Sequence, residues 1–315
     1  MTSSIHPTVR LADRTTLVGK WHKRRYQVIG RIGEGSRGSI YLVQGSRGRF
    51  ALKISKDSSV ITREAKILKV MRKVQGVQLG PFLFDVDDAV IHQTSYSFYV
   101  MEYIEGIQIK DWYQPGKFNQ LATVMKQLLF QLHHIHQAGY IFGDLKLENL
   151  LIDRKRKRIR LVDFGGVTKI GRSVREYTSQ YDRGYWQMGE RRAEPSYDLF
   201  AVAMCMLQLD SMFRKNGATN KNLMRLIDQS QTLVPFHSIL KKAVSGSYTH
   251  ATEMKRDLDR LRFPQQRKNR RRIGAHSMAH ASHQASDPTY KNELIGITAV
   301  FMGQVFLFVG IYYWF

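Results

Sequence analysis

The chain has 315 residues and a formal net charge of +23, from 49 basic against 26 acidic residues. This length allows one domain of about 240 residues plus appendages, and the absence of an internal repeat in the sequence excludes an array of small units. The charge predicts attraction to polyanions, while the single cysteine, Cys205, excludes an intrachain disulfide and is typical of a core thiol in a reducing compartment.

Residues 1–25 are polar and basic and form a predicted N-terminal extension. They contain no apolar stretch, so we expect no signal peptide there and a following domain that stays in the cytoplasm. Their basic cluster is the run HKRR at residues 22–25.

A glycine-rich turn, IGEGSRGSIY at residues 32–41, lies between strand-forming residues, and Lys53 lies on the next predicted strand. Gly33, Gly35 and Gly38 would let backbone N–H groups approach phosphates closely, and Lys53 would supply a positive charge for them. Because the turn opens a hairpin and not a helix, a dinucleotide-binding βαβ unit is disfavoured.

A predicted helix follows, in which Ile61, Leu68 and Met71 form an apolar stripe at helical spacing. Glu64 lies on the same stripe, where an unpaired carboxylate would be costly to bury. We therefore expect Lys53 to be its partner. The alternative is a partly exposed glutamate at the edge of the stripe.

Apolar residues at helical spacing predict a second, buried helix over residues 119–137, with Asn119 as its N-cap and Gly139 as its stop. Three histidines lie within or beside its apolar stripe: His133, His134 and His136. Histidines at i and i+3 could ligate a metal, but no third ligand or acidic partner is evident in the sequence. A structural role is therefore favoured.

The strongest signal is the stretch GDLKLENLLID, a basic turn and then IRLVDFGG, at residues 143–166. Asp144 would orient an attacking hydroxyl and accept its proton, and Lys146 can reach a transferred phosphate. Asn149 and Asp163 offer the oxygen ligands that Mg²⁺ prefers beside phosphate oxygens. Two short apolar strands joined by the basic turn would bring them together, so the pattern indicates a phosphoryl-transfer site. The alternative is an ordinary surface hairpin.

With these motifs, the chain resembles the eukaryotic-like (Hanks-type) Ser/Thr protein kinases over residues 26–263. The resemblance implies an α+β, two-lobed protein kinase fold, with an N-lobe over residues 26–104 and a mainly helical C-lobe over residues 105–263. ATP would bind between the lobes, with Mg²⁺, or Mn²⁺, as the metal. Protein substrates would be phosphorylated on Ser or Thr, which the lysine after Asp144-Leu145 favours over Tyr.

The resemblance also implies roles within the site. The implied catalytic residues are Lys53, Glu64, Asp144 and Lys146, and the implied metal ligands are Asn149 and Asp163. In the run FYVMEYIEG at residues 98–106, Met101 would be the gatekeeper, and Glu102 and Tyr103 would offer backbone groups to adenine. The remaining nucleotide contacts would be Gly33, Gly35, Gly38, Ile32, Ile40, Ala51 and Leu151. For the four apolar residues, plain core packing is the alternative.

One departure from the family pattern precedes the catalytic aspartate, where Phe142 and Gly143 replace the usual His-Arg. Loss of that arginine removes the guanidinium that would pair with a phosphorylated activation segment, so we do not expect switching by phospho-residue capture. Phe142 keeps an apolar packing body in place of the histidine, which we interpret as tolerated.

The activation segment departs as well. Met188-Gly189-Glu190 stands for Ala-Pro-Glu, no Gly-Thr is visible before it, and Glu190 is expected to make a structural ion pair. Asp198 heads an apolar helix, and its carboxylate is expected to hold the backbone of the catalytic loop. Candidate autophosphorylation sites in this region are Thr168, Ser173, Thr178 and Ser179.

Residues 264–292 lack periodicity and are predicted to be a disordered tether that spans about 30 Å. Its basic residues are Arg267, Lys268, Arg270, Arg271 and Arg272. These charges could bind an anionic membrane leaflet or about five DNA phosphates, and the sequence does not choose between the two. A further basic cluster, RKRKR, occupies the predicted hairpin turn at residues 154–158.

Residues 293–315 are a predicted transmembrane anchor, because residues 294–315 contain no charge and would span about 33 Å as a helix. A buried helix is the alternative. The run ends in aromatic residues that suit the depth of a membrane interface.

The runs YDRGYW at residues 181–186 and AEPSYDLFAVAM at residues 193–204 closely resemble bacterial Ser/Thr kinases associated with sporulation and with DNA binding. Such kinases have a cytosolic catalytic domain, a basic linker and a C-terminal membrane segment, which implies the septum or forespore membrane as a location. Two alternatives stay open: a weak pseudokinase that acts as a membrane scaffold for DNA or protein, and a small-molecule kinase. The oligomeric state also stays open.

Overall fold

The structure is a computed structural model that describes residues 9–35, 37–72, 74, 79–216 and 222–263. Within these ranges, no helix is both long enough and apolar enough to cross a membrane. The predicted tether, with Arg267, Lys268, Arg270, Arg271 and Arg272, and the predicted anchor lie outside the described residues. Both therefore stay predictions.

A six-stranded antiparallel sheet forms the first part of the fold, with strand order β1-β2-β3-β4-β6-β5. Its strands are β1 (Thr16–Val18), β2 (Arg25–Gly35), β3 (Gly38–Gly45), β4 (Gly48–Ser55), β5 (Leu83–Ile91) and β6 (Thr94–Glu102). Gly35 pairs with Gly38 where β2 turns into β3. The glycine-rich turn thus opens a hairpin, as predicted.

Helix α1 (Ser58–Arg72) connects β4 to β5 and packs against one face of the sheet. The predicted stripe is confirmed, because Ile61, Leu68 and Met71 are all buried. Successive residues of a strand point to opposite faces, so Ala51 joins the core under α1 while Leu52 joins the core on the other face. The sheet therefore carries a separate hydrophobic core on each side.

The rest of the chain is mainly helical. Its helices are α2 (Ile109–Trp112), α3 (Phe118–Gln137), α4 (Pro195–Leu207), α5 (Ser211–Asn216), α6 (Leu223–Gln229), α7 (His237–Val244) and α8 (Ala251–Arg260). Its strands are β7 (Gly106–Gln108), β8 (Tyr140–Ile141), β9 (Leu150–Asp153), β10 (Ile159–Leu161) and β11 (Thr168–Lys169). Every residue from 197 to 207 of α4 is buried, and Cys205 is among them. A helix that is apolar all round is a core helix, so α4 organises this part of the fold.

The start of α3 corrects one prediction. The helix begins at Phe118, its N-cap is Lys117, and no side chain caps it, so Asn119 is not the cap. Packing of the Phe118 ring against Phe236 and Phe263 stabilises this residue as part of the helix. The predicted stop is confirmed: Gly139 has a φ of +82°, and its N–H donates to the carbonyl of His136.

Asp198 on α4 holds the loop that follows β8. Its carboxylate is fully buried and accepts the backbone N–H groups of Phe142 and Gly143 at 2.8 and 2.9 Å. It also lies 2.8 Å from Nε2 of His136, which is the acidic partner that the sequence did not reveal. The expectation that Asp198 holds the backbone of this loop is confirmed, and His136 has the structural role that was favoured.

Replacing Asp198 by Ala is expected to lower the free energy of unfolding by about 3 kcal/mol, because two buried N–H groups lose their acceptor. Urea unfolding of the two proteins measures the loss. Asp228→Ala is the matched control, since that carboxylate is 58% exposed and pairs with the surface residue Lys241; it should cost less than about 0.5 kcal/mol. Equal losses in the two variants would contradict this account of the loop.

Candidate active site

A cleft of about 1060 Å³ lies between the six-stranded sheet and the helical part. It is lined by every residue that the sequence assigned to catalysis, nucleotide or metal: Ile32, Gly33, Gly35, Gly38, Ile40, Ala51, Lys53, Glu64, Met101, Glu102, Tyr103, Asp144, Lys146, Asn149, Leu151 and Asp163. These positions come from both halves of the fold. The structure therefore brings the whole predicted set to one place.

A buried ion pair ties the sheet to α1 inside this cleft. Nζ of Lys53 lies 2.7 Å from Oε2 of Glu64, and the two side chains are 7% and 1% exposed. This burial excludes the alternative of a partly exposed glutamate. The hydroxyl of Tyr99 donates to the same oxygen of Glu64 at 2.9 Å, a contact that the sequence did not predict.

Lys53 also faces Asp163, with 3.3 Å between its Nζ and Oδ1 of the aspartate. Burial alone would lower the pKa of Lys53, but the carboxylates of Asp163 and Glu64 outweigh it and raise that pKa. Burial would likewise raise the pKa of Asp163, but the Lys53 cation and the N–H of Gly165 lower it. Both groups are therefore charged at neutral pH, which suits one to phosphate oxygens and the other to a cation.

Asp163 adopts a left-handed backbone conformation, with φ at 59°, and the short 3₁₀ turn Phe164–Gly166 follows it. A non-glycine residue in this region stores strain of the kind found at functional sites. The ring of Phe164 packs edge-on against Phe142 at 5.3 Å between centroids. Phe142 thus supplies the apolar packing body that was expected.

The backbone conformation of the loop explains why glycine, and not the usual arginine, occupies position 143. Its φ is +82°, and an added Cβ would lie 2.4 Å from the carbonyl oxygen of Gly166. Any side chain at this position must displace the backbone of the neighbouring turn. The missing guanidinium is therefore a feature of the loop geometry and not an isolated substitution.

The catalytic loop, residues 142–149, is held by side-chain hydrogen bonds and an ion pair. Nζ of Lys146 lies 2.6 Å from Oδ2 of Asp144, and the hydroxyl of Thr178 donates to Oδ1 of Asp144 at 3.0 Å. The side-chain amide of Asn149 donates to the backbone carbonyl of Asp144 at 2.9 Å, so its oxygen is the atom suited to a cation. Strands β9 and β10 pair as predicted, which carries Asn149 and Asp163 to the same end of the hairpin. The position of Thr178 was missed, because the sequence shows no Gly-Thr.

The expected ion pair of Glu190 is wrong. Glu190 is exposed, and its carboxylate has no ionic partner among the described residues. The ion pairs of this segment are instead Arg183 with Glu194 at 2.6 Å and Arg191 with Asp182 at 2.7 Å. Packing decides the pairing, because Asp182 is fully buried and needs its donors, whereas Glu190 remains in solvent.

Glu102 ends β6 and begins the hinge, the segment that joins β6 to β7, and its side chain and backbone make different contacts. Its carboxylate pairs at 2.8 Å with Arg160, a fully buried arginine that also donates to the carbonyl of Gly80 at 3.1 Å. Its backbone N–H donates to the carbonyl of Phe82, so that N–H is not available to adenine without breaking this bond. Arg160 therefore fastens the β9–β10 hairpin to the hinge, a role that its place in a short strand did not reveal.

Comparisons with known proteins agree with the features of this cleft. A model of the protein kinase domain matches residues 26–282, and the chain belongs to this family. It is 44% identical over 252 residues to serine/threonine-protein kinase YabT of Bacillus subtilis, which covers 79% of this chain and 75% of YabT. It is 28% identical over 240 residues to cyclin-dependent kinase 12 of Caenorhabditis elegans, covering 69% of this chain and 32% of that protein.

Among solved structures, vaccinia related kinase 3 superposes with a TM-score of 0.58 at 16% identity, covering 82% of this chain and 93% of that one. The predicted two-lobed α+β kinase fold and the resemblance to Hanks-type kinases are thereby confirmed. The chain is a protein serine/threonine kinase. As a member of this family it uses ATP and a divalent metal.

Gly143→Ala is expected to reduce the rate of phosphoryl transfer at least tenfold, because its Cβ would push the catalytic loop away from Gly166. Gly171→Ala is the matched control: Gly171 also has a positive φ, of +86°, but nothing lies within 4 Å of an added Cβ. The control should lose only about 1 kcal/mol of stability and keep its transfer rate. The test fails if both variants transfer phosphate equally well in a labelled-ATP assay.

Proposed function

We propose that the chain is an ATP- and Mg²⁺-dependent protein Ser/Thr kinase that is anchored in a membrane by residues 293–315. In this proposal the catalytic domain lies in the cytoplasm, and the tether, residues 264–292, senses DNA. The observation that supports the catalytic part is the convergence of Lys53, Asp144, Asn149 and Asp163 on one cleft.

Asp144 is positioned to orient the attacking hydroxyl of Ser or Thr and to accept its proton. Lys146 lies beside it and neutralises charge on the transferred phosphate. Lys53, which Glu64 holds in place, would supply positive charge to the α- and β-phosphates. Phosphoryl transfer needs little covalent help from a protein, so this positioning and charge neutralisation account for the catalysis.

Asn149 and Asp163 fit a divalent metal, because both present oxygen atoms and Asp163 stays ionised. Mg²⁺ held by these two residues would supply positive charge against the phosphates of the nucleotide, and Mn²⁺ suits the same donors. The hard oxygen donors are the reason for preferring Mg²⁺ over a softer metal.

The apolar residues that line the cleft differ in solvent exposure, and this difference supports the binding of an adenine ring. Ala51 and Met101 line the cleft and are buried, whereas Ile32 lines it and is 47% exposed. A ring that entered would cover Ile32 and gain apolar burial there. Ile40 and Leu151 line the same cleft and complete the apolar surroundings of the ring.

The membrane and DNA parts of the proposal rest on the sequence. The uncharged run of residues 294–315 supports the anchor, and the net charge of +23 supports a polyanionic ligand. The resemblance of residues 181–186 and 193–204 to sporulation-associated kinases supports DNA as that ligand and the septum or forespore membrane as the location. Plain binding of the tether to anionic lipid is the competing hypothesis.

Asp144→Asn and Lys53→Ala are each expected to abolish phosphate transfer while the circular dichroism spectrum stays unchanged, because each removes one charge from the site. Lys66→Ala is the control, since Lys66 lies on α1 but is exposed. The assay uses labelled ATP, Mg²⁺ and a generic basic protein. Undiminished transfer in either site variant would refute the assignment of the site.

The DNA response is tested with residues 1–292, with and without duplex DNA, at two salt concentrations. Transfer should rise with DNA at low salt, and the log-log salt slope of binding should be about −4.5. Neutralising the five tether residues, from Arg267 to Arg272, should remove the response and spare the basal rate. An unchanged DNA response would move the sensor to the basic clusters at residues 22–25 and 154–158. Transfer that responds to anionic vesicles and not to DNA would favour the lipid hypothesis.

A further inference from the structure

Three charged residues from separate segments meet beside the cleft, and two of them, Arg37 and Glu176, line it. Arg37 belongs to the glycine-rich turn, Arg63 to α1, and Glu176 to the segment between β11 and the 3₁₀ turn Ser179–Tyr181. Nη2 of Arg63 lies 3.3 Å from Oε1 of Glu176, and Nη1 of Arg37 contacts the same oxygen. The Glu176 carboxylate thus pairs with two guanidinium groups through one oxygen.

The three side chains are partly shielded from solvent, which strengthens the ion pairs between them. The side chains of Arg37, Arg63 and Glu176 are 35%, 30% and 20% exposed. Isolated ion pairs on an open surface contribute little, whereas a half-buried carboxylate between two guanidinium groups is a small network. Burial and the nearby Arg63 lower the pKa of Arg37, whereas the carboxylates of Glu64, Asp163 and Asp144 oppose this shift.

The three residues belong to three parts of the catalytic machinery. Arg63 is adjacent in sequence to Glu64, whose carboxylate pairs with Lys53. Arg37 lies in the turn that covers the phosphate side of the cleft. Glu176 lies two residues before Thr178, whose hydroxyl donates to Asp144. One carboxylate therefore joins α1, the glycine-rich turn and the activation segment.

The surroundings leave this role to Glu176. Gly143 provides neither a guanidinium nor space for one, so a phosphate on the segment would lack its usual partner. Of the hydroxyls in this region, Thr168 donates to the carbonyl of Gly166 and Thr178 to Asp144, so both are already engaged. Ser173 and Ser179 are exposed to solvent. A permanent carboxylate supplies the negative charge without any modification.

We propose that Glu176 is a positioning residue that fixes the activation segment against α1 and the glycine-rich turn, and that it makes phosphoryl transfer independent of phosphorylation of this segment. The inference rests on the proposed assignment of the site. It goes beyond that assignment because it names what holds the segment in the absence of a phospho-residue.

The first experiment measures kcat and KM for ATP of the full chain in detergent, after phosphatase treatment. Glu176→Gln is nearly isosteric and is expected to lower kcat/KM about tenfold or more, because it removes the charge that both arginines share. Glu176→Asp should restore most of the rate. Glu190→Gln is the matched control in the same segment, and it should leave the rate unchanged, because Glu190 is exposed and outside the network. Equal rates for Glu176→Gln and Glu190→Gln would overturn the proposal.

The second experiment asks whether Glu176 acts through Arg63. Because the two side chains share one interaction, the double variant Arg63→Gln with Glu176→Gln should be no slower than the slower single variant. Losses that multiply would overturn the coupling. A lower melting temperature without a change in kcat/KM would indicate a merely structural residue and would also count against the proposal.

The third experiment tests independence from phosphorylation. Wild-type enzyme and the variants Ser173→Ala and Ser179→Ala should keep their initial rates after phosphatase treatment, with no lag as ATP is added. A tenfold fall in the wild-type rate after dephosphorylation would overturn the proposal. Asp144→Asn is assayed beside them: if that variant is active, the site assignment fails, whereas an inactive Asp144→Asn with an unaffected Glu176→Gln refutes this inference alone.

Discussion

The ion pair between Lys53 and Glu64 is the interaction on which the rest of the site depends. Both side chains are buried, so moving α1 away from the sheet would strand a charge on each side in a medium that solvates charge poorly. The pair thus fixes α1 at one distance from β4. Asp163 shares the Lys53 cation and Tyr99 shares the Glu64 carboxylate, so the end of the β9–β10 hairpin that carries Asp163 and the centre of the sheet are held by the same charges.

Local patterns in the sequence predicted this centre well, because each signal lies within a few residues. The glycine spacing of the β2–β3 turn, the helical spacing around Glu64 and the Asp-x-Lys-x-x-Asn run each indicated its own part of the site. Contacts between distant segments were beyond such patterns. Thr178 reaches Asp144 across 34 residues, and Arg160 reaches Glu102 across 58. The sequence also did not show that Asp182 would be buried and paired with Arg191, whereas Glu190 would be exposed. Glu190 was therefore the wrong choice for the ion pair of this segment.

Two features of the cleft compensate each other. Gly143 keeps the catalytic loop close to Gly166, at the expense of the arginine that other members of the family carry there. Arg37 and Arg63 place the positive charge on the N-terminal side of the cleft, where Glu176 meets it. Positive charge from α1 and the glycine-rich turn thus meets negative charge on the activation segment.

Cys205 gives the fold a built-in reporter. It is the only sulfhydryl of the chain, it is fully buried in α4, and burial raises its pKa well above the ordinary value. A thiol-reactive dye meets a neutral, covered sulfur as long as the helical core is closed, so its rate of attachment measures how often that core opens. Each labelled molecule carries its dye at one known position. Nucleotide that binds only the closed form would slow the labelling, and the slowing converts directly into a binding free energy without any enzymatic assay.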